Sequence, residues 1–128
     1  MRKTTVLVVD PEPDLRTALR LRLESEGFAV LDADDFTGAI RRIRDGKPDI
    51  MLTGISLPGA DGVGLIKQVR LTSGMPIVVL TARPEPWVRR RAEDAGADAF
   101  FLKPCSISPV ISTMRKLVSQ EKKGKLHR

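Results

Sequence analysis

Residues 5–27, TVLVVDPEPDLRTALRLRLESEG, contain the pattern that decides the fold. Their first five residues form a continuous apolar run rich in valine, which is typical of a parallel strand buried on both faces. Leu15, Leu19 and Leu23 then recur at a spacing of four residues, and Gly27 provides a helix stop. The stretch therefore predicts a buried strand followed by an amphipathic helix.

The same order of apolar run and helical pattern recurs about five times along the chain. The runs that predict strands are residues 5–9, 28–31, 50–52, 76–80 and 99–102. Helix two is predicted from Ala39, Ile40 and Ile43 and ends near Gly46 and Pro48, and helix three is predicted from Leu65, Ile66 and Val69 and ends before Gly74. Helix four is predicted from Val88, Ala92 and Ala95 and ends before Gly96. Helix five follows an N-cap at Ser106, and its core positions are Ile107, Val110 or Ile111, Met114, and Leu117 or Val118. Parallel strands joined by right-handed helical crossovers form an open, doubly wound α/β sheet with helices on both faces.

The length of 128 residues fits one domain, which we expect to cover residues 1–120. Residues 121–128 lose the apolar period and are expected to form a basic, frayed tail. No apolar run approaches the ~18 residues of a membrane-spanning helix, and the N-terminus lacks the features of a secretory signal. The single cysteine, Cys105, excludes an internal disulfide and fits a reducing compartment. These features predict a cytoplasmic protein without membrane insertion.

The net charge of +6 has two interpretations, attraction to an acidic partner or a solvated basic surface. Much of the excess lies in Arg89, Arg90 and Arg91 and in the last seven residues. No base-stacking aromatics are interleaved with these charges, so nucleic-acid binding by this domain itself is not expected. His127 is a lone histidine and predicts no metal site.

In doubly wound sheets the working groups collect at the carboxyl ends of the strands. Here those positions are Asp10 after the first strand, residues 53–56 after the third, Thr81 and Ala82 after the fourth, and Lys103 after the fifth. Four segments then match, in order and spacing, the receiver domain of two-component response regulators, which the chain resembles. They are residues 6–10 (VLVVD), 48–49 (PD) with 57–62 (LPGADG), 78–82 (VVLTA), and 95–98 (AGAD) leading into Lys103-Pro104.

The resemblance implies a flavodoxin-like, parallel five-stranded sheet with strand order 2-1-3-4-5, acting in signal transduction downstream of a histidine kinase. In that family an acidic pair after strand one and an aspartate ending strand three hold a magnesium ion, and the latter aspartate accepts a phosphoryl group. A hydroxyl after strand four and a lysine after strand five bind the phosphoryl oxygens. Matched position by position, Asp10 is the first acid, Thr81 the hydroxyl and Lys103 the lysine.

Two positions depart from the family pattern. The second acid is Pro11, and the phosphoacceptor position, four residues before Pro58, is Gly54. Asp49 cannot substitute, because it lies five residues earlier, at the opposite edge of the sheet. We therefore expect weak or no magnesium binding, no cofactor and no catalytic residue. The remaining carboxylate, Asp10, is expected to pair with Lys103.

Some substitutes for the missing groups remain open. Glu12 is a weak candidate for a replacement metal ligand, since its loop position is flanked by prolines. Thr53 and Ser56 carry hydroxyls near Gly54, although nothing nearby resembles an activating base. Either would be an unorthodox phosphoacceptor.

The resemblance also implies a switch and a readout face. Thr81 and Phe100, three residues before the lysine, match the two switch positions, although Phe100 could equally be ordinary core. The face formed by helix four, strand five and helix five is a candidate interface for a protein partner or a second copy. Its predicted residues are Trp87, Arg89, Arg90, Arg91 and Arg115, joined by Arg83 and Lys116. Trp87 is spaced for a cation–π contact with Arg91, and the alternative is a solvated arginine surface.

Three functions follow. The leading one is a receiver-like signalling module that is not phosphorylated at the usual site and acts by protein–protein interaction rather than as an enzyme. The first alternative is a phosphorylatable two-component switch with an unorthodox acceptor. The second is the regulatory domain of a DNA-binding response regulator whose output domain is not part of this chain.

Overall fold

The computed structural model describes the backbone of residues 2–126 and the side chains of residues 2–121. Within them, strands and helices alternate as the sequence predicts. The elements are β1 (Thr5–Val9), α1 (Pro13–Ser25), β2 (Ala29–Ala33), α2 (Phe36–Gly46), β3 (Ile50–Thr53), β4 (Ser56–Leu57), β5 (Ala60–Asp61), α3 (Gly62–Arg70), β6 (Ile77–Thr81), α4 (Pro86–Ala95), β7 (Ala99–Leu102) and α5 (Ile107–Leu126).

Five strands form one parallel sheet in the order β2-β1-β3-β6-β7. This is the predicted order 2-1-3-4-5 once β4 and β5, which form a separate antiparallel hairpin after β3, are set aside. The doubly wound, flavodoxin-like fold is therefore confirmed. The register pairs Val9 with Thr53 and Thr81 with Leu102, so the residues that follow these strands emerge at one edge of the sheet.

Helices cover both faces of the sheet, and each face has its own core. On one face Leu7 and Met51 pack with Ile66 of α3 and Ala92 of α4. The opposite core includes Val6, Val8 and Leu52 of the strands, Leu23 of α1, and Val110, Ile111 and Met114 of α5. Alternate residues of β1 thus point into two different cores, which explains its continuous apolar sequence.

The ends of several elements differ from the sequence-based expectation. The second strand was expected at residues 28–31 but spans Ala29–Ala33. Phe28 is buried and donates its N–H to the Leu23 carbonyl, so it closes the turn that follows α1. Helix α2 ends with Lys47 in the left-handed region (φ 44°). A Cβ at Gly46 would meet the tip of the Leu31 side chain, which would have to shift.

The backbone of the C-terminal helix is helical to Leu126. The fraying expected for residues 121–128 stays a prediction. Residues 121–126 are mostly lysine, glutamate and leucine, which are good helix formers, so the helix continues without an apolar period. His127 and Arg128 lie outside the described residues. None of the described helices combines the length and apolar character needed to cross a membrane.

Candidate functional site

The strand ends bring the predicted site residues together. Gly54 donates its N–H to the Val9 carbonyl at 2.9 Å, and Lys103 donates its N–H to the Thr81 carbonyl at 2.7 Å. Between them lies a cavity of about 220 Å³. The residues that line it are Asp10, Pro11, Glu12, Gly54, Ile55, Ser56, Leu80, Thr81, Ala82, Arg83 and Lys103.

Asp10 and Lys103 form the ion pair expected from the sequence. Lys103 Nζ lies 3.1 Å from Asp10 Oδ2, and the other carboxylate oxygen accepts the Glu12 N–H at 2.9 Å. The Asp10 side chain is only 7% exposed, against 25% for Lys103. Because Asp10 is buried, its charge needs these partners more than a surface carboxylate would.

Gly54 leaves room for a side chain. A Cβ at this position would lie 3.4 Å from Asp10 Oδ2 and 3.8 Å from the carbonyl oxygens of Leu80 and Val9. These contacts are close to ordinary van der Waals distances, and the backbone is not in the left-handed region that favours glycine. The fold therefore does not require glycine here.

Gly62, at the start of α3, is a structural glycine by contrast. A Cβ there would overlap the Gly54 carbonyl oxygen and lie 2.7 Å from Ile55 Cα. Its N–H donates to the Ile55 carbonyl at 2.7 Å, which holds α3 against the loop after β3. Gly62 thus fixes the backbone that carries Gly54.

The hydroxyl groups near Gly54 differ in their surroundings. Thr53 is buried and its Oγ1 donates to the Gly54 carbonyl at 2.9 Å. The Thr81 Oγ1, also buried, accepts the Arg83 N–H at 3.2 Å. Ser56 is exposed at the rim of the cavity. Only Ser56 therefore presents its hydroxyl to solvent.

The residues present do not fit the magnesium ion that the family resemblance implies. Magnesium demands near-octahedral oxygen ligands, usually including one or two carboxylates. Inside this cavity the only buried carboxylate is that of Asp10, and one of its oxygens already contacts the Lys103 ammonium. Glu12 is exposed at the rim. Across the described residues, no group of three or more His, Cys, Asp or Glu side chains could hold a metal ion.

Asp49 lies where the sequence placed it, at the amino end of β3. Its carboxylate accepts the Thr5 N–H at 2.8 Å and pairs with Arg2 at 2.6 Å. It therefore fastens the N-terminal segment to the opposite edge of the sheet and takes no part in the cavity.

Thr81 and Phe100 occupy diagonal positions on the same face of the sheet, since Thr81 pairs with Leu102 and Val79 with Phe100. Phe100 is half-buried against the core beneath α4. The Arg89 guanidinium lies 5.7 Å from the centre of its ring. Phe100 is thus neither fully core nor fully exposed.

The predicted contact between Trp87 and Arg91 is present, with the guanidinium carbon 5.9 Å from the ring centre. Arg83 makes a second such contact at 5.6 Å, which sequence reasoning missed. Arg83 precedes α4, so helical spacing gave no signal for it. Trp87 remains 48% exposed.

Arg115 does not join the arginines of α4. It stacks on Phe28, 5.0 Å from the ring centre, and donates to the Glu26 carbonyl at 3.0 Å. These contacts lie at the seam between α5 and α1, because α5 packs on the face of the sheet opposite α4. These contacts hold Arg115 beside the end of α1, and its place in an interface with Trp87 stays a prediction.

Glu85, directly before α4, has a pKa that its immediate neighbours lower. A hydrogen bond from its own backbone, and then the Arg83 guanidinium, hold the pKa of Glu85 below its ordinary value of 4.5. The Arg83 Nε lies 3.2 Å from Glu85 Oε2. Arg83 is thus both stacked on Trp87 and paired with Glu85.

The strand order and the position of the cavity define a class of protein, the CheY-like receiver modules of signalling proteins. The chain belongs to the response regulator receiver domain family, whose sequence pattern matches residues 6–115.

Relatives of known name support this assignment. The chain is 35% identical over 112 residues to the KDP operon transcriptional regulatory protein KdpE of Escherichia coli, covering 88% of this chain and 50% of that protein. It is 34% identical over 116 residues to the transcriptional regulatory protein ResD of Bacillus subtilis, covering 91% and 48% respectively. The chain thus spans about half the length of these relatives.

Solved structures agree with the fold. A two-component response regulator from Clostridium difficile superposes with a TM-score of 0.89 at 26% identity, covering 93% of this chain and 98% of that one. A CheY-like receiver domain protein from Methanospirillum hungatei gives a TM-score of 0.91 at 22% identity, covering 96% and 99%. At that lower identity the second likeness concerns the fold alone.

Proposed function

We propose that this receiver domain is not phosphorylated at the usual position and acts by binding another protein or a second copy of itself. The observation that carries the proposal is the cavity at the strand ends, where Gly54 provides no side chain and Asp10 pairs with Lys103 at 3.1 Å. The chain would act as an interaction module in the cytoplasm, not as an enzyme.

The chemistry of phosphoryl transfer motivates the first half of this proposal. Transfer to a receiver needs a carboxylate oxygen that attacks phosphorus, and Gly54 has none to offer. A complete receiver site has three carboxylates and one lysine, so its net negative charge is neutralised by a divalent cation. This one sets Asp10 against Lys103, a balanced pair. A magnesium ion would have to displace the ammonium to reach its only buried carboxylate ligand.

The readout half of the proposal concerns α4, β7 and α5. β7 is an edge strand, and Trp87 on the neighbouring helix is about half exposed. Tryptophan and arginine are the residue types enriched in interface hot spots. Arg89 and Arg90 extend this surface, whereas Arg115 is occupied by Glu26 and Phe28 and is left out of it.

Intact mass measurement after incubation with magnesium and acetyl phosphate tests the proposal. We expect the wild-type chain to keep its mass. The double variant Pro11→Asp/Gly54→Asp should gain one phosphoryl group as acetate leaves, because it restores the second acid and the attacking carboxylate. A stoichiometric phosphoryl adduct on the wild-type chain would overturn the proposal.

The same measurement tests the unorthodox acceptors. Any adduct on the wild-type chain that disappears in Ser56→Ala or Thr53→Val would identify the hydroxyl that carries it. Thr53 is the poorer of the two, because its hydroxyl is buried and bonded to the Gly54 carbonyl. We expect neither variant to differ from wild type.

A second candidate function rests on the relatives, which are named as transcriptional regulatory proteins and are about twice as long as the match. The domain would then be the regulatory part of a transcription factor whose DNA contacts come from another part. In that case the chain alone should show no retention on DNA even at low salt. Retention with a salt dependence of several charges would place DNA binding in this domain itself.

A further inference from the structure

A groove of about 320 Å³ lies beside the cavity, between the β4–β5 hairpin and α4. Its apolar surface comes from Ile55, Leu57, Val63 and Val88, and its polar rim from Ser56, Asp61, Arg83 and Arg91, with Trp87 at the edge. The groove shares Trp87 and Arg91 with the predicted interface on α4, and it shares Ile55, Ser56 and Arg83 with the Gly54 cavity.

The rim is held in place by stacking. Trp87 has the Arg83 and Arg91 guanidinium carbons 5.6 and 5.9 Å from its ring centre. Stacking of this kind restrains an arginine while leaving its N–H groups free to bind carboxylates in pairs. Arg91 forms no ion pair with any side chain that the structure describes. The groove therefore presents a positioned, uncompensated guanidinium beside an apolar floor.

The charges of the groove select among occupants. Asp61 lies on the hairpin side of the groove and caps α3 by accepting the Val63 N–H at 2.8 Å. Its negative charge would repel a ligand that is anionic along the whole groove. Nucleic acid is disfavoured further, because Trp87 is the only aromatic side chain that lines the groove, and both of its arginine neighbours already stack on it. The groove therefore suits an apolar group along its floor, with a negatively charged group next to Arg91.

We infer that this groove binds an acidic peptide segment of a partner protein. One apolar side chain of the segment packs against Leu57 and Val88, and a neighbouring carboxylate binds Arg91, beside the Arg83–Glu85 pair. The inference rests on the proposed role of the chain as an interaction module and names the chemistry of its partner. It does not depend on whether another residue accepts a phosphoryl group in place of the aspartate that is missing at position 54.

The chain supplies its own reporter for a test. Trp87 is its only tryptophan, and it has no tyrosine. Synthetic peptides with a central leucine flanked by glutamates are titrated into the full chain while tryptophan fluorescence is recorded. We expect a saturable change, weaker binding as salt is raised, and no saturation with matched peptides whose glutamates are lysines or whose leucine is serine.

A pair of matched variants locates the site. Arg91→Gln should weaken binding about fivefold, the effect of one exposed charge pair. Arg90→Gln removes the same charge from the same exposed helix but from a residue that does not line the groove, so it should change the dissociation constant less than twofold.

Three outcomes would overturn the inference: no saturable change with the acidic peptide, equal weakening by Arg90→Gln and Arg91→Gln, or equally tight binding of a single-stranded oligonucleotide. Their meaning is distinct from that of the mass measurement. A chain that stays unphosphorylated but ignores the peptide would sink this inference and leave the account of the Gly54 cavity standing.

Discussion

Gly54 and Gly62 lie close together in the folded chain but are glycines for different reasons. At Gly62 a Cβ would overlap the backbone after β3, so the fold demands glycine. At Gly54 the nearest atom to a Cβ would be Asp10 Oδ2, at 3.4 Å, so a Cβ is accommodated without overlap. The missing carboxylate is therefore a property of the site and not a consequence of packing.

Asp10 and Lys103 give the first prediction at this scale. Lys103→Met should lower the free energy of unfolding at neutral pH by about 1–2 kcal/mol, because it leaves a buried carboxylate without its cation. The loss should be smaller than for a fully buried pair, since Lys103 is 25% exposed. Urea unfolding measures the change.

Two further variants control that measurement. Lys116→Met removes a charge from an exposed residue and should change the free energy of unfolding by less than about 0.5 kcal/mol. Asp10→Asn combined with Lys103→Met should cost less than the sum of the single changes, because the unpaired charge is gone. Strict additivity would show that the ion pair does not stabilise the chain.

At the scale of an element, the start of α3 provides a matched pair of glycines. Gly62→Ala should destabilise the chain by about 1–3 kcal/mol, because its Cβ overlaps the backbone of the preceding loop. Gly64→Ala lies in the same helix, where a Cβ would meet nothing within 4 Å, so it should stabilise by about 0.5–1 kcal/mol. In thermal or urea unfolding, we expect the two glycine-to-alanine changes to alter the free energy of unfolding in opposite directions. The same sign for both would contradict this account of the loop.

The start of α4 gives a prediction about ionisation. The pKa of Glu85 lies below its ordinary value of 4.5 in the folded chain. Its contribution to stability is therefore present above about pH 4.5 and is lost as the pH falls through the folded pKa. Arg83→Gln should raise the pKa of Glu85 only part of the way, because the hydrogen bond from its own backbone remains.

An NMR titration of the side-chain carboxyls checks this. Asp45 is the internal control, since its pKa is lowered mainly by a hydrogen bond from Arg44, which the substitution leaves in place. A Glu85 pKa that does not move in Arg83→Gln would mean that the Arg83–Glu85 pair is not formed in solution.

For the molecule as a whole, local patterns predict the alternating strands and helices and the edge of the sheet that carries the site, and the family resemblance predicts the strand order and the two missing acids. Apolar runs and helical stripes fix the elements, and the topology brings Asp10, Gly54, Thr81 and Lys103 to one edge. Even the pairing of Asp10 with Lys103 follows, once the two missing carboxylates leave these charges facing each other.

The remaining features depend on contacts between layers, which spacing along the chain does not encode. Arg115 was expected on the face formed by helix four, strand five and helix five, and its contacts with Glu26 and Phe28 gave no signal in the sequence. The stacking of Arg83 on Trp87 joins a loop to a helix, so no periodicity reveals it. The left-handed residue at the end of α2 is Lys47 and not the neighbouring Gly46, which the sequence offered as the helix end.

The cavity at the strand ends holds one balanced ion pair in place of a cluster of carboxylates, and on this the proposed function depends. A magnesium titration of the isotope-labelled chain, followed by NMR at the amides of Gly54, Thr81 and Lys103, tests it most directly. We predict no saturable shift at millimolar magnesium for the wild-type chain, and a saturable shift for Pro11→Asp/Gly54→Asp. Saturable binding by the wild-type chain at these amides would contradict the account.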